Sequence, residues 1–163
     1  MDSFKEQLVT RKPDNTVFIK RAGIFVAALF ISVLLFVFLN VISLILVALI
    51  FWGAYFLIKS FDVEYEYICT NGDLDIDKIT AKSRRKRLIS VDIKNVTDFG
   101  TVKNKSFNKE YSIIDATSGE GENESDCYLA CRDSKYGMCY ILISPDEAML
   151  DVIKTYLPRT IKR

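Results

Sequence analysis

The sequence predicts a membrane α-helical hairpin followed by a mainly antiparallel β domain that ends in an amphipathic helix. Three observations predict it. Residues 22–58 form a 37-residue stretch without one charged side chain. Past Lys59 the hydrophobic period changes from helical to two. Residues 144–157 combine a helix start signal with an apolar stripe at helical spacing.

A single helix over 22–58 would be ~55 Å long, against a hydrocarbon core of ~30 Å. Asn40 sits at the middle with 18 residues on each side, and each half would measure ~27 Å as a helix. Helices over 22–39 and 41–58 are therefore expected, turning near Asn40, whose amide suits a headgroup layer better than hydrocarbon. A re-entrant hairpin that does not cross fully is the alternative. Arg11, Lys12, Lys20 and Arg21 before the stretch and Lys59 after it put both ends on the cytoplasmic side. Trp52 and Tyr55 fall where an aromatic belt belongs. A cleavable signal peptide is not expected, since its apolar region is far shorter.

Residues 1–21 read as a polar leader. Phe4, Leu8 and Val9 form one stripe ending at Pro13, as in a surface-lying helix or a weakly ordered tail. Within the first helix, Gly23 and Ala27 are four apart, as are Ala28 and Ser32; Ser43, Ala48, Gly53 and Ala54 lie on the second. Such spacing suits close helix packing in lipid, although ordinary membrane-helix composition accounts for it equally well. The stretch holds no ionisable group for a proton relay or charged ion site, which argues against a transporter acting alone.

Residues 59–163 leave about 100 for one compact core. The chain carries a net charge of +1, and this second part is close to neutral, so general affinity for nucleic acid is not expected. Histidine is absent, which removes zinc sites with His ligands and the usual Ser/His or Cys/His nucleophile pairs. Cys69, Cys127, Cys131 and Cys139 contain no CxxC pair and read as buried core thiols of a reducing compartment, ahead of a metal site or disulfide. No cofactor is implied.

The strands follow in order. In 62–67 Asp62, Glu64 and Glu66 alternate with Val63, Tyr65 and Tyr67. Asn71-Gly72 is a strong hairpin signal, because both positions tolerate positive φ. In the next strand Leu74 and Ile76 face one way and Asp73, Asp75 and Asp77 the other. Residues 82–87 read as a turn, then come strands over 88–93, 96–102 and 111–116, with a polar connection over 103–109. The loop 117–126 is rich in Gly, Ser, Asn and Glu. A last hairpin, 127–132 and 138–144, turns around 133–137. A C-terminal helix over 145–157 starts with Ser144 as N-cap, Pro145 at the first position and Glu147 completing a capping box. Met149, Leu150, Ile153, Tyr156 and Leu157 give it one apolar stripe, and Pro158 stops it.

This order of strands and one closing helix resembles a pleckstrin-homology-like (PH-like) domain, a bent antiparallel sandwich. Two apolar helices ahead of it resemble small bacterial membrane proteins with a PH-like domain, which implies the bacterial plasma membrane. The likeness covers about residues 22–158 and rests on element order and on the stretch 64–98. An α+β domain with a single sheet and a covering helix is the alternative.

The main candidate surface is the basic run Lys82, Arg84, Arg85, Lys86 and Arg87. Strand directions put it at the membrane-facing end, where each cation near anionic headgroups would contribute roughly 1 kcal/mol. A solvated charge run is the competing reading. In lipid-binding PH domains the basic residues belong to the turn between the first two strands, which here is the short acidic 70–73, so specific phosphoinositide recognition does not follow. Asp73, Asp75 and Asp77 read as a solvent stripe, since no EF-hand-like loop follows them. Glu120, Glu122 and Glu124 form a second acidic patch, with a solvating role or a basic partner as readings. Gly119 and Gly121 do not make a phosphate loop. No catalytic constellation and no metal ligands are apparent. The expectation is a non-enzymatic module at the cytoplasmic face that contacts membrane lipid or a protein partner, with Gly23, Ala27, Ala28 and Ser32 as the helix-packing set. An accessory subunit of a larger membrane complex is the alternative.

Overall fold

The computed structural model describes residues 3–103, 105–119 and 125–161. They divide into two compact units: a β-rich unit of residues 3–12, 64–79 and 83–161, and a helical unit of residues 13–63 with 80–82.

The helical unit begins at Asp14, whose carboxylate accepts from Asn15 N and Thr16 Oγ1, both at 2.7 Å. Helix α1 is Asn15–Leu39 and helix α2 is Ser43–Lys59, linked by a 3₁₀ turn, Asn40–Ile42. The helical stretch is thus continuous from Asn15 to Lys59, instead of two 18-residue helices separated at one turn residue. It starts seven residues before the expected Ala22, because Asp14 caps it ahead of Lys20 and Arg21. Its direction changes at the 3₁₀ turn, where Asn40 adopts φ +48. Phe25 and Phe51 would stand ~39 Å apart on a straight helix, yet their rings are 6.1 Å apart. Asn40 suits the bend because an Asn side chain tolerates the left-handed region, and Ser43 Oγ donates to its carbonyl at 2.5 Å. The stretch is long and apolar enough to cross a membrane.

The β-rich unit holds two four-stranded sheets. In the first, the order is β1 (Phe4–Thr10), β2 (Val63–Thr70), β3 (Asp73–Thr80) and β4 (Arg84–Asp92). In the second, it is β5 (Asp98–Thr101), β7 (Cys127–Asp133), β8 (Gly137–Ile143) and β6 (Ser112–Ala116). Within this second sheet β6 runs parallel to β8 and the other pairs are antiparallel. Two sheets replace the single-sheet alternative. Helix α3, Glu147–Tyr156, follows β8.

The expected polar leader is β1. It pairs antiparallel with β2 from Phe4↔Thr70 to Thr10↔Glu64. Its inward residues are Lys5, Gln7 and Val9, while Phe4 and Leu8 point out and are 66% and 55% exposed. Gln7 bridges to the start of α3: its Nε2 donates to Ser144 O at 3.1 Å and its Oε1 accepts from Asp146 N at 2.9 Å. Polar contacts thus replace the apolar ones that a sequence pattern would reveal.

The core comprises Tyr67, Leu74 and Ile76 from the first sheet, Leu129, Ile141 and Ile143 from the second, and Met149 and Ile153 from α3, all essentially inaccessible. Tyr67 ties the layers together. Its hydroxyl donates to Ala116 O at 2.5 Å and accepts from Ser144 N at 3.2 Å. Burial pushes its pKa well above the usual phenol range. The Asn71-Gly72 turn forms as expected, with φ +53 and +99, and a Cβ at Gly72 would stand 2.9 Å from the Tyr156 ring. Helix α3 is capped by Asp146, which accepts from Met149 N at 2.6 Å, and not by Ser144. The Ser144 hydroxyl instead donates to the buried Asp126 at 2.6 Å.

Candidate binding surfaces

The basic run is divided between a turn and a strand. Lys82 lies in a short turn, with Ala81 and Lys82 at φ +54 and +57, whereas Arg84, Arg85, Lys86 and Arg87 open β4. The expected turn over 82–87 is therefore only 81–83. Ala81 N donates to Asp62 O at 2.9 Å, and Asp62 Oδ1 accepts from Arg21 at 2.6 Å. Within the helical unit, then, Lys82 sits next to a turn residue bonded to the chain just past Lys59. Arg21 from α1 pairs across to the Asp62 carboxylate, so Asp62 links α1 to this turn.

The strand part of the run is partly neutralised. Arg85 meets Glu66 Oε1 at 2.6 Å, and Arg87 meets Asp75 Oδ2 at 2.8 Å and also Asp77. Glu66 and Asp77 are 4% exposed, so the acidic strand faces are not wholly solvent stripes: the arginines cover them. Burial pushes the Glu66 carboxyl above its usual range, against the pull of Arg85 and with help from neighbouring Glu6. Its Oε2 is buried without a hydrogen-bond partner among the described residues. Arg85 and Arg87 remain about half exposed, and Arg84 and Lys86 project from β4 as exposed cations.

The four small residues of the packing set separate. Ala28 and Ser32 are buried, and Ser32 Oγ donates to Ala28 O at 2.7 Å. On α2 the buried residues are Ser43 and Ala54. Gly23 and Ala27 are exposed, and a Cβ added at Gly23 would meet nothing within 4 Å. Periodicity could not divide the two pairs, because residues four apart share a face but the sequence does not say which face meets α2.

Two further features escaped the sequence reading. Arg11, just past β1, donates to Asp115 on β6 at 2.9 Å and to Tyr65 on β2 at 3.0 Å, linking the two sheets. Against burial, hydrogen bonds from Thr117 and the Arg11 charge hold the Asp115 carboxyl below its usual range. The second is the connection over 103–109, read as merely polar. Phe107 lies 5.0 Å from Tyr140 and 5.7 Å from Tyr128 between ring centroids. Lys105 stands 4.7 Å over the Tyr128 ring and 2.8 Å from Asp98. Gly100, opposite Tyr128, leaves room for that ring, since a Cβ there would be 3.0 Å from it. These contacts close one face of the second sheet. The acidic set Glu120, Glu122 and Glu124, with Gly121, lies outside the described residues. Among the described residues no group of acidic or cysteine side chains has the geometry of a metal site.

The model of a bacterial PH-like domain family, DUF6106, matches residues 1–163, and the chain belongs to that family. No curated protein and no solved structure matches it.

Proposed function

We propose that this chain is a membrane-anchored, non-enzymatic PH-like module held at the cytoplasmic face of a bacterial plasma membrane, where it contacts anionic lipid headgroups or a protein partner. The observation that carries the reading is the Thr10↔Glu64 rung. The helical stretch leaves the domain from one strand and returns to its hydrogen-bonded neighbour. Both ends therefore start on the same side of any membrane, so the number of crossings is even. Cleavage after the apolar stretch would strip β1 from its sheet, which speaks against a removable signal. The outward surface of the stretch supports burial in lipid: Phe18, Phe38 and Ile45 are 70–80% exposed, a surface that water tolerates poorly. With the domain tethered, even a weak surface is occupied, since the contact becomes intramolecular. For lipid, the exposed Arg84 and Lys86 rank ahead of Arg85 and Arg87, whose charges are shared with carboxylates, and Lys82 lies in the turn before them.

Alkaline extraction of membranes tests the anchoring: retention in the pellet is expected, and release would sink it. The lipid contact is tested with the full chain in nanodiscs of neutral or anionic lipid, by hydrogen exchange over residues 80–92. Slower exchange only in anionic discs, reversed by moderate salt and by neutralising Lys82, Arg84 and Lys86, supports it. Equal exchange in every case removes lipid as the ligand. A second reading, an accessory subunit of a larger membrane complex, is favoured by the apolar groove between α1 and α2, lined by Ala27, Ala28, Gly53 and Ala54. Small residues there admit a further helix closely. Purification in mild detergent distinguishes the two, since a stable hetero-complex favours the second and a monomer the first.

A further inference from the structure

All four cysteines are free and buried in the β-rich unit. Cys131 and Cys139 differ from the others in being direct register partners on β7 and β8, with Sγ atoms 3.6 Å apart. Cys127 instead faces Ser125 O at 3.5 Å. Residues directly opposed on antiparallel strands carry Cβ atoms ~4.5–5.5 Å apart, and a disulfide needs ~3.5–4.5 Å. Closure therefore asks for a small approach of two strands, not a rearrangement. The pair also lies one rung from Arg132↔Met138 and two from Asp133↔Gly137, next to the turn that joins β7 to β8. Rungs beside a surface turn open more readily than the centre of a sheet, which gives a small reagent a route to otherwise buried thiols.

We infer that Cys131 and Cys139 form a dithiol site that a low-molecular-weight disulfide, such as glutathione disulfide, converts into an intrachain bond between β7 and β8. One cysteine, as thiolate after losing its proton to solvent, attacks a sulfur of the oxidant and expels one small thiolate. The second cysteine, likewise deprotonated, attacks the first in the mixed disulfide and expels the other. Two protein thiols are oxidised, one small disulfide is reduced to two thiols, and the two released protons return to those thiolates. Burial raises both thiols above their usual range, so either becomes a thiolate only when the ladder opens locally. The reaction is slow in the closed sheet and its product is a covalent clasp across the second sheet.

The test uses the full chain in detergent micelles, exposed to glutathione disulfide, acid-quenched, denatured and alkylated. Peptide mass mapping then reads the thiols. The expected result is loss of two alkylatable thiols, recovered as one linked pair, Cys131 with Cys139, while Cys69 and Cys127 alkylate fully. C131S and C139S should each stop at a glutathione adduct on the remaining cysteine. Full alkylation of all four in the native chain, under conditions that oxidise the urea-denatured chain, would overturn the inference. So would a different linked pair, or a wild-type adduct that never closes. The wild-type map decides the matter even where a serine variant does not fold.

Discussion

The sharpest prediction concerns the first ten residues. A chain limited to 60–163 looks like a complete domain by sequence, yet it lacks β1. Removing β1 uncovers the space filled by Val9, which is 7% exposed and contributes about 2 kcal/mol by burial. It also removes both Gln7 hydrogen bonds to the α3 entry, about 1 kcal/mol each. The Arg11–Asp115 pair is partly solvated and adds at most about 1 kcal/mol. The Ser3–Tyr156 contact at 2.6 Å goes as well. The loss is roughly 5 kcal/mol, against about 5–15 kcal/mol for a typical domain. The comparison chain joins residues 3–12 to 62–161 through a short Gly/Asn linker, which suffices because Thr10 and Glu64 are ladder partners. Urea unfolding followed by circular dichroism should show a cooperative transition for the fusion. Residues 60–163 should show a markedly lower midpoint or no folded baseline. Equal midpoints would refute the reasoning and would mean that β1 is an ornament on a self-sufficient sheet.

Other outcomes follow from single contacts and can be read on the same fusion, except where the helices are involved. Tyr67→Phe removes the partner of Ala116 O and Ser144 N and should cost about 1–3 kcal/mol in urea unfolding; a change inside experimental error would remove Tyr67 as a link between layers. Gly72→Ala should lose about 1–3 kcal/mol through its positive φ and the Tyr156 ring, while Gly23→Ala in the full chain, with open space around it, should leave the thermal midpoint nearly unchanged. Asp98 and Asp115 are both held below their usual range: the unfolded chain takes up their protons first as pH falls, so stability drops below about pH 3.8. Glu66 has the opposite sign. Its raised carboxyl keeps its proton longer when folded, so stability declines as pH rises from about 4.5 through the native value. Glu66→Gln should flatten that decline in a pH series of urea midpoints, and an unchanged slope would remove Glu66 as its source.

The sequence signals were strongest where one face is buried and the other wet. Tyr65/Tyr67, Leu74/Ile76 and the α3 stripe announced their elements because their apolar side chains recur at the period of the element that buries them, and Asn71-Gly72 announced its turn through backbone freedom. Strand β1 was hidden because its inward face is Lys5, Gln7 and Val9 and its apolar Phe4 and Leu8 face out, the reverse of the usual pattern. The basic run was visible, but its partners were not. Glu66, Asp75 and Asp77 meet Arg85 and Arg87 only through sheet pairing, so a stretch that reads as five free cations is partly neutralised. Likewise Asp146 outcompetes Ser144 as a cap because the Ser144 hydroxyl is drawn to Asp126, a partner 18 residues away.

The split of the first sheet around the helical stretch also has a consequence for how the chain is made. Strand β1 leaves the ribosome well before β2, but Ser3 meets Asn71 only across a sequence separation of 68. Pairing so distant carries a loop-closure cost and is slow by nature. Of the intervening residues, 45 form the helical stretch Asn15–Lys59, and its bend at Asn40 brings the two ends of that loop together. The sheet therefore cannot close until that segment has folded back on itself. Completion of the β domain becomes a checkpoint on the helices, and a chain whose helices fail to bend exposes an unpaired β2 edge, the kind of surface that aggregates or recruits a protease.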